Sequence, residues 1–490
     1  MNLQMNRWLL VLAAVAALAS AASANNEPKI VCYFGSWAVY RPGHGKFEIS
    51  NIEPHLCTHI IYTFVGITED GNVRVLDAWQ DLEDNWGKAA FRRFVELRQQ
   101  SSNTKFLIAI GGWNEGSARY SAVAANPTTR EKFVKNSVEF VKKYNFDGFD
   151  FDWEYPNQRG GKPEDVNNFS ILLKMMRAEF DKEGLLLTAA VAAAEPSASL
   201  SYNIAEISKH LHFINVMSYD LHGSWEKQTG HNAPLYPRTG ETGNDLKLNV
   251  NASIHYWLSQ GCPPEKLILG VPFYGRSFTL ADKSRTGLGA PTTGPGTAGQ
   301  FTREGGMLGY NEICEYLKQG GWSVVRHPEH RTPYAYKDNQ WVGYDDIESL
   351  TEKMKYIKSL GLGGAMMWSI ETDDFKGLCG EKYPLLKTLN AGLRGGVPVP
   401  PPVIPEVPDK PEVNPPEVTQ TPPVMTAPPP PPNGVCKKEG YVRDEQDCSV
   451  FYQCTNVGGQ LQAQRFHCAS GLAFDPAHNG CNYRDRVAGC

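Results

Sequence analysis

The sequence predicts an α/β protein whose larger part is an eight-stranded β/α (TIM) barrel and whose smaller, C-terminal part is a disulfide-rich β module. Short β-branched or aromatic runs alternate with longer amphipathic stretches from about residue 29 to residue 393, as in βα units around a parallel sheet. Eight such runs are present, and eight parallel strands close a barrel. The cysteines are unevenly distributed, since six of the 11 lie between Cys436 and Cys490.

The eight strand candidates are IVCYF from Ile30, HIIYTFV from His59, KFLIAIGG from Lys105, FDGFDFDWEY from Phe146, LLTAAVAA from Leu186, FINVMSYD from Phe213, LILGVPFYG from Leu267 and GGAMMWSI from Gly363. The gap between the last two is far longer than one helix, and Tyr334-Ala335-Tyr336 within it has the pattern of a strand. We therefore predict an α+β insertion at about 277–343. Functional residues are expected at the carboxyl ends of the barrel strands.

Four segments are predicted along the chain: a signal peptide at 1–24, the barrel at 25–396, a proline-rich linker at 397–433 and the module at 434–490. Arg7 precedes an apolar run, and Ala22-Ser23-Ala24 supplies the small residues of a cleavage site, so we expect secretion. In an oxidising compartment, six cysteines in a short module predict three disulfides. Zinc is the weaker interpretation, because this segment lacks paired CxxC or HxxxH spacing.

The composition narrows the class of partner. Hydrophobic residues make up 41% and charged residues 21%, a globular balance. The net charge is −5 and no long basic run occurs, so nucleic acid is not expected as a partner. After the signal, the longest apolar run is Leu185 to Ala194, which predicts a buried strand rather than a membrane span. We expect a monomer with a neutral partner. Asn168 and Asn251 begin glycosylation sequons whose use the sequence does not determine.

The fourth strand candidate carries three acidic residues in alternation. With a side-chain period of two, Asp150, Asp152 and Glu154 project to one face, and the aromatic residues between them project to the other. Carboxyl groups crowded into a barrel interior share protons, and at least one pKa rises, as a general acid requires. A solvated salt-bridge strip is the structural alternative. A metal site is another, but the strand lacks an interleaved histidine or an Asp-rich loop.

DGFDFDWEYP resembles the signature of the glycoside hydrolase family 18 chitinases. The similarity extends in order through FLIAIGGWN, NVMSYDLHGSW, GVPFYGRSFTL, FTREGGMLGYNEIC, AYKDNQWVGYDD and GGAMMWSIETDDFKG, and so covers essentially the whole barrel. The resemblance implies a chitin-cleaving enzyme that acts on chitin and its oligosaccharides, with no cofactor and no metal.

The resemblance also implies a role for each acidic residue. Glu154 matches the proton donor to the glycosidic oxygen, Asp152 the acid that holds the N–H of the substrate's N-acetyl group, and Asp150 its proton-sharing neighbour. Tyr219 matches the hydroxyl that positions the acetamido carbonyl. No enzyme nucleophile is expected, because in this family the acetamido oxygen of the sugar attacks the anomeric carbon and the configuration is retained.

Aromatic stacking and a few hydrogen bonds are expected to bind such a neutral polymer. The residues that match the family's cleft are Trp37, Trp113, Asn114, Tyr155, Met217, Asp220, Trp225, Tyr274, Arg276 and Trp368. Taken singly, each tryptophan is more often core or rim packing, and the strand-end positions within matched motifs reverse that expectation. Trp341 is expected to pack inside the insertion.

The sequence departs from the family at two positions. Ala109 stands where many members carry serine, which would alter hydrogen bonding beneath the acidic column. Glu371 stands where aspartate is frequent, and the change is expected to affect only a peripheral cleft contact. For the barrel cysteines, the resemblance implies the pairs Cys32–Cys57 and Cys314–Cys379, which leaves Cys262 unpaired. We expect Cys262 to be a buried thiol, with a reactive thiol as the alternative.

The spacing of the C-terminal cysteines resembles the peritrophin-A type chitin-binding module. By that resemblance the bridges are Cys436–Cys454, Cys448–Cys490 and Cys468–Cys481, although the spacing alone permits fifteen pairings. Tyr452, Phe474 and Tyr483 are candidate stacking residues, with small-core packing as their alternative.

The leading interpretation is a secreted endochitinase held on a solid substrate by its module. A chitin-binding lectin is the first rival, but inactive relatives lose the position matching Glu154, and this chain keeps it. Cleavage of N-glycan cores or another N-acetylglucosamine polymer is the second rival, which the chitin-binding module disfavours.

Overall fold

The structure is a computed structural model that describes residues 27–401, 405–408, 436–438, 440–444, 446–457, 460–468, 472–476, 480–483 and 487–490. The predicted signal peptide lies outside the described residues, as does most of the predicted linker. Contacts divide the chain into two compact units, Met1–Glu412 and Val413–Cys490, which are described separately.

The strands of the first unit are β1 (Lys29–Gly35), β2 (His59–Ile67), β3 (Val73–Val75), β4 (Lys105–Gly111), β5 (Gly148–Asp152), β6 (Leu186–Ala192), β7 (Phe213–Met217), β8 (Leu267–Pro272), β9 (Tyr274–Leu280), β10 (Thr292–Pro295), β11 (Met307–Gly309), β12 (Ser323–Arg326), β13 (Pro333–Lys337), β14 (Gln340–Gly343) and β15 (Gly364–Trp368). Eight of them form a parallel sheet in the order β1-β15-β8-β7-β6-β5-β4-β2, and β1 also pairs with β2, so the sheet closes. The barrel and its eight predicted strands are therefore confirmed.

The helices around the barrel are α1 (Ala78–Asp81), α2 (Ala90–Glu96), α3 (Ala118–Ala125), α4 (Pro127–Lys143), α5 (Asp165–Lys182), α6 (Glu195–Ser201), α7 (Ile204–His210), α8 (Val250–Ser259), α9 (Tyr310–Gln319), α10 (Ile347–Leu360) and α11 (Pro384–Arg394). Local sequence signals set several ends. Pro127 opens α4, where its missing N–H costs nothing, and the Asn126 side chain caps the first turn. Gly361 ends α10 in the left-handed conformation.

The predicted insertion between the seventh and eighth barrel strands is present and has an α+β composition. Its antiparallel sheet has the order β10-β9-β14-β13-β12, with β11 paired to β9, and α9 belongs to the same stretch of chain. The sheet begins at Tyr274, slightly before the predicted start. As predicted, Trp341 is buried here, where it stacks on Tyr334 with ring centroids 5.0 Å apart.

The disulfides follow the predicted pairs wherever both cysteines are described. In the barrel unit Cys32 bonds to Cys57 and Cys314 to Cys379, while Cys262 is a buried free thiol. In the module the described bridges are Cys436–Cys454 and Cys448–Cys490. The predicted partner of Cys468 is Cys481, whose side chain lies outside the described side chains.

The second unit contains two antiparallel sheets. One consists of β16 (Gly440–Arg443), β17 (Val450–Val457) and β18 (Gln460–His467), and the other of β19 (Leu472–Asp475) and β20 (Gly480–Tyr483). Phe451 stacks on Phe474 with ring centroids 4.4 Å apart, which joins the two sheets through a small apolar core.

Two surface expectations bear on the chain's environment. Within the residues that the structure covers, no helix has both the length and the apolarity to cross a bilayer. The sequons begin at Asn168 in α5 and at Asn251 in α8, and their serines, Ser170 and Ser253, are buried. The Asn251 side chain also accepts a hydrogen bond from the Tyr356 hydroxyl at 3.0 Å. Neither sequon therefore presents its serine to solvent.

Candidate active site

Asp150 lies at the bottom of the acidic column and is fully buried. Its carboxylate accepts hydrogen bonds from the Tyr33 hydroxyl at 2.6 Å, the Thr188 hydroxyl at 2.5 Å and the Asn215 side-chain amide at 3.3 Å. Burial raises the pKa of Asp150 to about 6, and the three hydrogen bonds oppose that rise. Ala109 pairs with Asp150 in the neighbouring strand, so the hydroxyl that serine would supply there is replaced by a methyl group.

Asp152 lies one step higher and differs from Asp150 in its hydrogen bonding. It is buried, yet its Oδ1 has no hydrogen-bond partner among the described residues. Burial, followed by the charges of Glu154 and Asp150, raises its pKa well above the usual range. An unpaired acceptor in such a position is costly unless a ligand supplies a donor.

Glu154 follows β5 at the top of the column, where its side chain is half-buried. Burial raises its pKa to about 7, while a hydrogen bond with Tyr155 and the charge of Arg159 lower it. Asp220 adds a further rise. A pKa of about 7 keeps a substantial fraction of Glu154 protonated at neutral pH, as a general acid requires.

Glycines let the end of β4 approach this column. The Gly112 N–H donates to the Asp152 carbonyl at 2.9 Å, and Gly111 has a φ of +115°. A Cβ on Gly111 would lie 1.9 Å from the Asp152 carbonyl oxygen, so only glycine fits there. The glycine pair in the GGW motif thus has a packing reason.

The loop after β7 supplies the opposite wall. Tyr219 is buried and points its hydroxyl at Met366 Sδ, 3.8 Å away. Asp220 accepts from the Tyr274 hydroxyl at 2.6 Å and from two guanidinium nitrogens of Arg276 at 2.7 Å each. Such a bidentate ion pair holds the Asp220 carboxylate in place. Met217 ends β7 half-buried beside these residues.

Trp368 ends β15 within a cluster of aromatic rings. Its ring centroid lies 5.7 Å from that of Tyr33, 5.8 Å from that of Phe64 and 6.0 Å from that of Trp37. Phe64 and Trp37 are stacked within 15° of parallel. These rings form an apolar floor next to the acids, a surface suited to the face of a sugar ring.

Two further tryptophans stand at the rim, each beside an arginine. Trp113 is 58% exposed and Trp225 is 59% exposed. The Arg159 guanidinium lies 3.5 Å from the centre of the Trp113 ring, and that of Arg276 lies 5.3 Å from Trp225. Asn114 is exposed next to Trp113. The predicted cleft residues thus gather at the carboxyl ends of the strands.

The sequence reasoning missed the residues that support the column. Tyr33, Thr188 and Asn215 come from β1, β6 and β7, and all three meet at Asp150. Each occupies a buried polar position within an otherwise apolar strand, which is the sequence signal that would have found them. Phe64 was missed for a different reason, because an aromatic residue in a buried strand is ordinarily core.

The expectation for Glu371 was wrong. Its side chain is fully buried, accepts from the Gly35 N–H at 3.1 Å and from the Ser369 hydroxyl at 2.6 Å, and lies 3.6 Å from Arg41. Gly35 is two residues before Trp37, and Ser369 follows Trp368. Glu371 therefore ties together the two chain segments that carry the aromatic floor, and it makes no cleft contact of its own.

In the module, two of the three candidate stacking residues are buried. Tyr452 is 3% exposed and donates to Asp444 at 2.8 Å, and Phe474 is 1% exposed. Tyr483 has its side chain outside the described side chains. Among the described residues of the module, Tyr441 is an aromatic residue with an exposed ring, at 42%.

In the part of the chain that the structure describes, one group of potential metal-ligand side chains lies close enough together to share an ion. It consists of Cys314, Asp374 and Cys379. The two cysteines are bonded to each other, so their sulfurs are not available as thiolates. This group lies outside the acidic column.

Comparison with known proteins decides the family. Residues 29–373 match glycosyl hydrolases family 18, a range that includes all eight barrel strands. The chain belongs to this family. Residues 436–490 match the chitin binding Peritrophin-A domain. This family-18 chain is therefore a glycoside hydrolase of the chitinase type, joined to a chitin-binding module.

Three relatives show the level of similarity. The Drosophila melanogaster probable chitinase 10 is 40% identical over 94% of this chain, which spans only 20% of that longer protein. The Manduca sexta endochitinase is 44% identical over 81% of this chain and 73% of its own length. The Ostrinia furnacalis Group IV chitinase in complex with allosamidin is 48% identical, with a TM-score of 0.73 over 76% of this chain and 100% of that chain.

Proposed function

We propose that this family-18 hydrolase is a secreted, monomeric endochitinase that cleaves β-1,4 linkages between N-acetylglucosamine units with retention of configuration. The observation that carries this proposal is the difference between the acids of one column. Asp150 accepts three hydrogen bonds, Asp152 has a buried oxygen with no donor among the described residues, and burial raises the pKa of Glu154 to about 7. Each acid is thus suited to a different task.

The first step needs a proton on the leaving oxygen. Glu154 donates its proton to the glycosidic oxygen as the bond between that oxygen and the anomeric carbon breaks. The acetamido carbonyl oxygen of the same sugar attacks the anomeric carbon and forms an oxazolinium ring. The acetamido N–H becomes more acidic as positive charge develops, and the unpaired Oδ1 of Asp152 supplies the acceptor for it.

The second step reverses these roles. A water molecule gives a proton to the Glu154 carboxylate and attacks the anomeric carbon from the face that the leaving group occupied. The ring opens, the acetamido group is restored, and the product has the β configuration. Glu154 regains the proton that it lost, so the cycle balances.

An enzyme nucleophile is disfavoured by the contacts of Asp220, the other acid at the site. Asp220 is engaged by Tyr274 and by two guanidinium nitrogens of Arg276, which leaves it poorly placed to attack carbon. Among the described residues, the Tyr219 hydroxyl has only a weak sulfur acceptor at 3.8 Å, so it can turn to the acetamido oxygen and orient it.

Secretion is supported by the four described disulfides, which persist in oxidising compartments. Proton NMR of the first products from chitin hexamer tests the chemistry. We expect internal cleavage and β-anomeric signals before mutarotation. Early α-anomers would contradict retention, and release of single sugars from one end only would contradict endo action.

A further inference from the structure

Part of the predicted proline-rich linker lies against the barrel unit. In the insertion, β12 is the edge strand of the sheet, and Val324 on that edge pairs in parallel with Glu406. The Val407 N–H donates to the Val324 carbonyl at 2.8 Å. Residues 405–408 thus extend the insertion sheet beyond β12, and they use a backbone acceptor that an edge strand otherwise leaves to solvent.

Side chains reinforce this contact. Arg326 at the end of β12 lies 3.0 Å from the Glu406 carboxylate and 2.6 Å from that of Asp346, and its side chain is only 16% exposed. Val407 is partly buried against the apolar cluster of the insertion that contains Val325. A charge pair, a backbone hydrogen bond and an apolar contact therefore hold the same short segment.

The proline-rich segment begins at the end of the barrel that lies opposite the cleft. Arg394, the last residue of α11, lies 3.5 Å from Glu27, which precedes β1. The Asn390 side chain donates to the Leu56 carbonyl just before β2. Both contacts place the end of α11 at the amino ends of the strands, away from the cleft. Val399 then packs against the barrel core.

Glu406 lies at the cleft end. Its partner Arg326 also binds Asp346, the N-cap residue of α10. This helix runs from the insertion back to the start of β15, so its first turn is at the carboxyl ends of the strands. With 14 residues, α10 is about 21 Å long. Between Arg394 and Glu406 the chain therefore runs about that distance along the barrel axis, from the amino ends of the strands to their carboxyl ends.

We propose that residues 397–401 and 405–408 form a strap along the side of the barrel. Because of this strap, the free part of the linker begins at the cleft end of the barrel and not at the amino ends of the strands, where α11 ends. The proposal rests on the proposed function and on the expectation that the module, which matches a chitin-binding domain, holds the enzyme on solid chitin. The strap shortens the remaining tether from roughly 39 residues (395–433) to roughly 25 residues (409–433) and starts it at the cleft end. Since effective concentration falls with about the 3/2 power of tether length, we expect a gain of about twofold from length alone.

Two substitutions release the strap, and each has a matched control in the same proline-rich stretch. Val407→Pro removes the N–H that bonds to Val324 and keeps the extended backbone, with Val418→Pro as its control. Glu406→Lys reverses the charge that faces Arg326, with Glu417→Lys as its control. All four variants are made in the full-length chain.

Hydrogen exchange of the peptide that contains Glu406 and Val407 reports the strap directly. In the unmodified protein we expect the Val407 amide to be protected, and in Glu406→Lys we expect that protection to be lost. An unprotected Val407 amide in the unmodified protein would overturn the proposal. If the Val407 amide stays protected in Glu406→Lys, that substitution has not released the strap. The functional comparison is then made with Val407→Pro, which lacks the N–H donor.

The functional comparison uses soluble chitin hexamer and insoluble chitin. Release of the strap should leave hexamer hydrolysis unchanged and slow degradation of insoluble chitin by about twofold or more, with both controls unaffected. An unchanged rate on insoluble chitin would overturn the proposal, as would an equal loss on hexamer, which would make the segment part of the barrel's stability. Failure of the unmodified protein to cleave hexamer would instead contradict the proposed function.

Discussion

The barrel and the C-terminal module solve the problem of stability in different ways. The barrel has a continuous apolar core and two described disulfides over more than 340 residues, from Lys29 to Trp368 and beyond. The module has two described disulfides around a few buried rings. Burying ionisable groups costs free energy, which a large core offsets more easily. The barrel buries Asp150 and Asp152 in one column, whereas among the described residues of the module Asp475 is the buried acid.

The largest expected effect concerns the top of the acidic column. Glu154→Gln should lower turnover on soluble and insoluble chitin alike by about 10³-fold, because the leaving oxygen then has no proton donor. Oligosaccharide binding should remain, since the amide has nearly the same size. Steady-state rates and binding calorimetry measure both quantities, with the exposed Glu139→Gln as control. A variant that keeps about a third of the turnover would remove Glu154 from the role of acid.

Asp152→Asn separates activity from stability. Turnover should fall by about 10²-fold or more, because a neutral amide cannot balance the charge that develops on the acetamido group. The folded state raises the pKa of Asp152, so this residue favours folding least at high pH, where it must be ionised.

Asp152→Asn should therefore be more stable than the unmodified protein above neutral pH, and the difference in the free energy of unfolding should be smaller below neutral pH. We expect a free energy of unfolding at pH 8 that is higher by about 1 kcal/mol or more, measured by denaturant titration. Equal or lower stability of the variant at pH 8 would show that ionised Asp152 does not destabilise the folded barrel.

A smaller effect is expected at the rim. The Arg159 guanidinium lowers the pKa of Glu154, and its Nη1 donates to the backbone carbonyls of Glu154 and Trp113. Arg159→Ala should raise that pKa and move the alkaline limb of kcat/KM to higher pH by less than about one unit, since Arg159 is exposed to solvent. Arg159→Lys retains the charge and should leave the limb in place. A shift to lower pH in the alanine variant would contradict the assignment.

The smallest expected effect on soluble substrate comes from loss of the module. A chain that ends at Glu412 keeps the strap and the barrel, so hexamer hydrolysis should continue at close to the full-length rate. Degradation of insoluble chitin should fall several-fold, because the second point of attachment is gone. Equal loss on both substrates would mean that the module supports the barrel, and no loss on either would mean that it binds another partner.

The same contrast explains what the sequence could predict. The strands of the barrel are continuous apolar runs, and the alternation of Asp150, Asp152 and Glu154 fixes which side chains share a face, so both were predictable from local pattern. Glu371 was not, because its partners Gly35 and Arg41 come from the opposite end of the barrel sequence. Contacts of that kind depend on closure of the sheet, which no local pattern encodes.

In the module, local pattern predicted less. A small core uses aromatic residues as filler, so ring identity alone does not separate buried Tyr452 and Phe474 from exposed Tyr441. The linker boundary had a related difficulty. Proline-rich composition predicts extended chain, and residues 405–408 are extended, yet their contact with β12 depends on an edge strand distant in sequence.

Digestion of partly deacetylated chitosan tests the central claim most directly. If the acetamido oxygen is the nucleophile, the sugar whose anomeric carbon is attacked must be acetylated. Mass spectrometric sequencing of early products should then find N-acetylglucosamine at every new reducing end, whatever residue follows the cleaved bond. A clear share of new reducing ends that carry glucosamine would contradict substrate assistance. It would indicate that a side chain of the protein is the nucleophile.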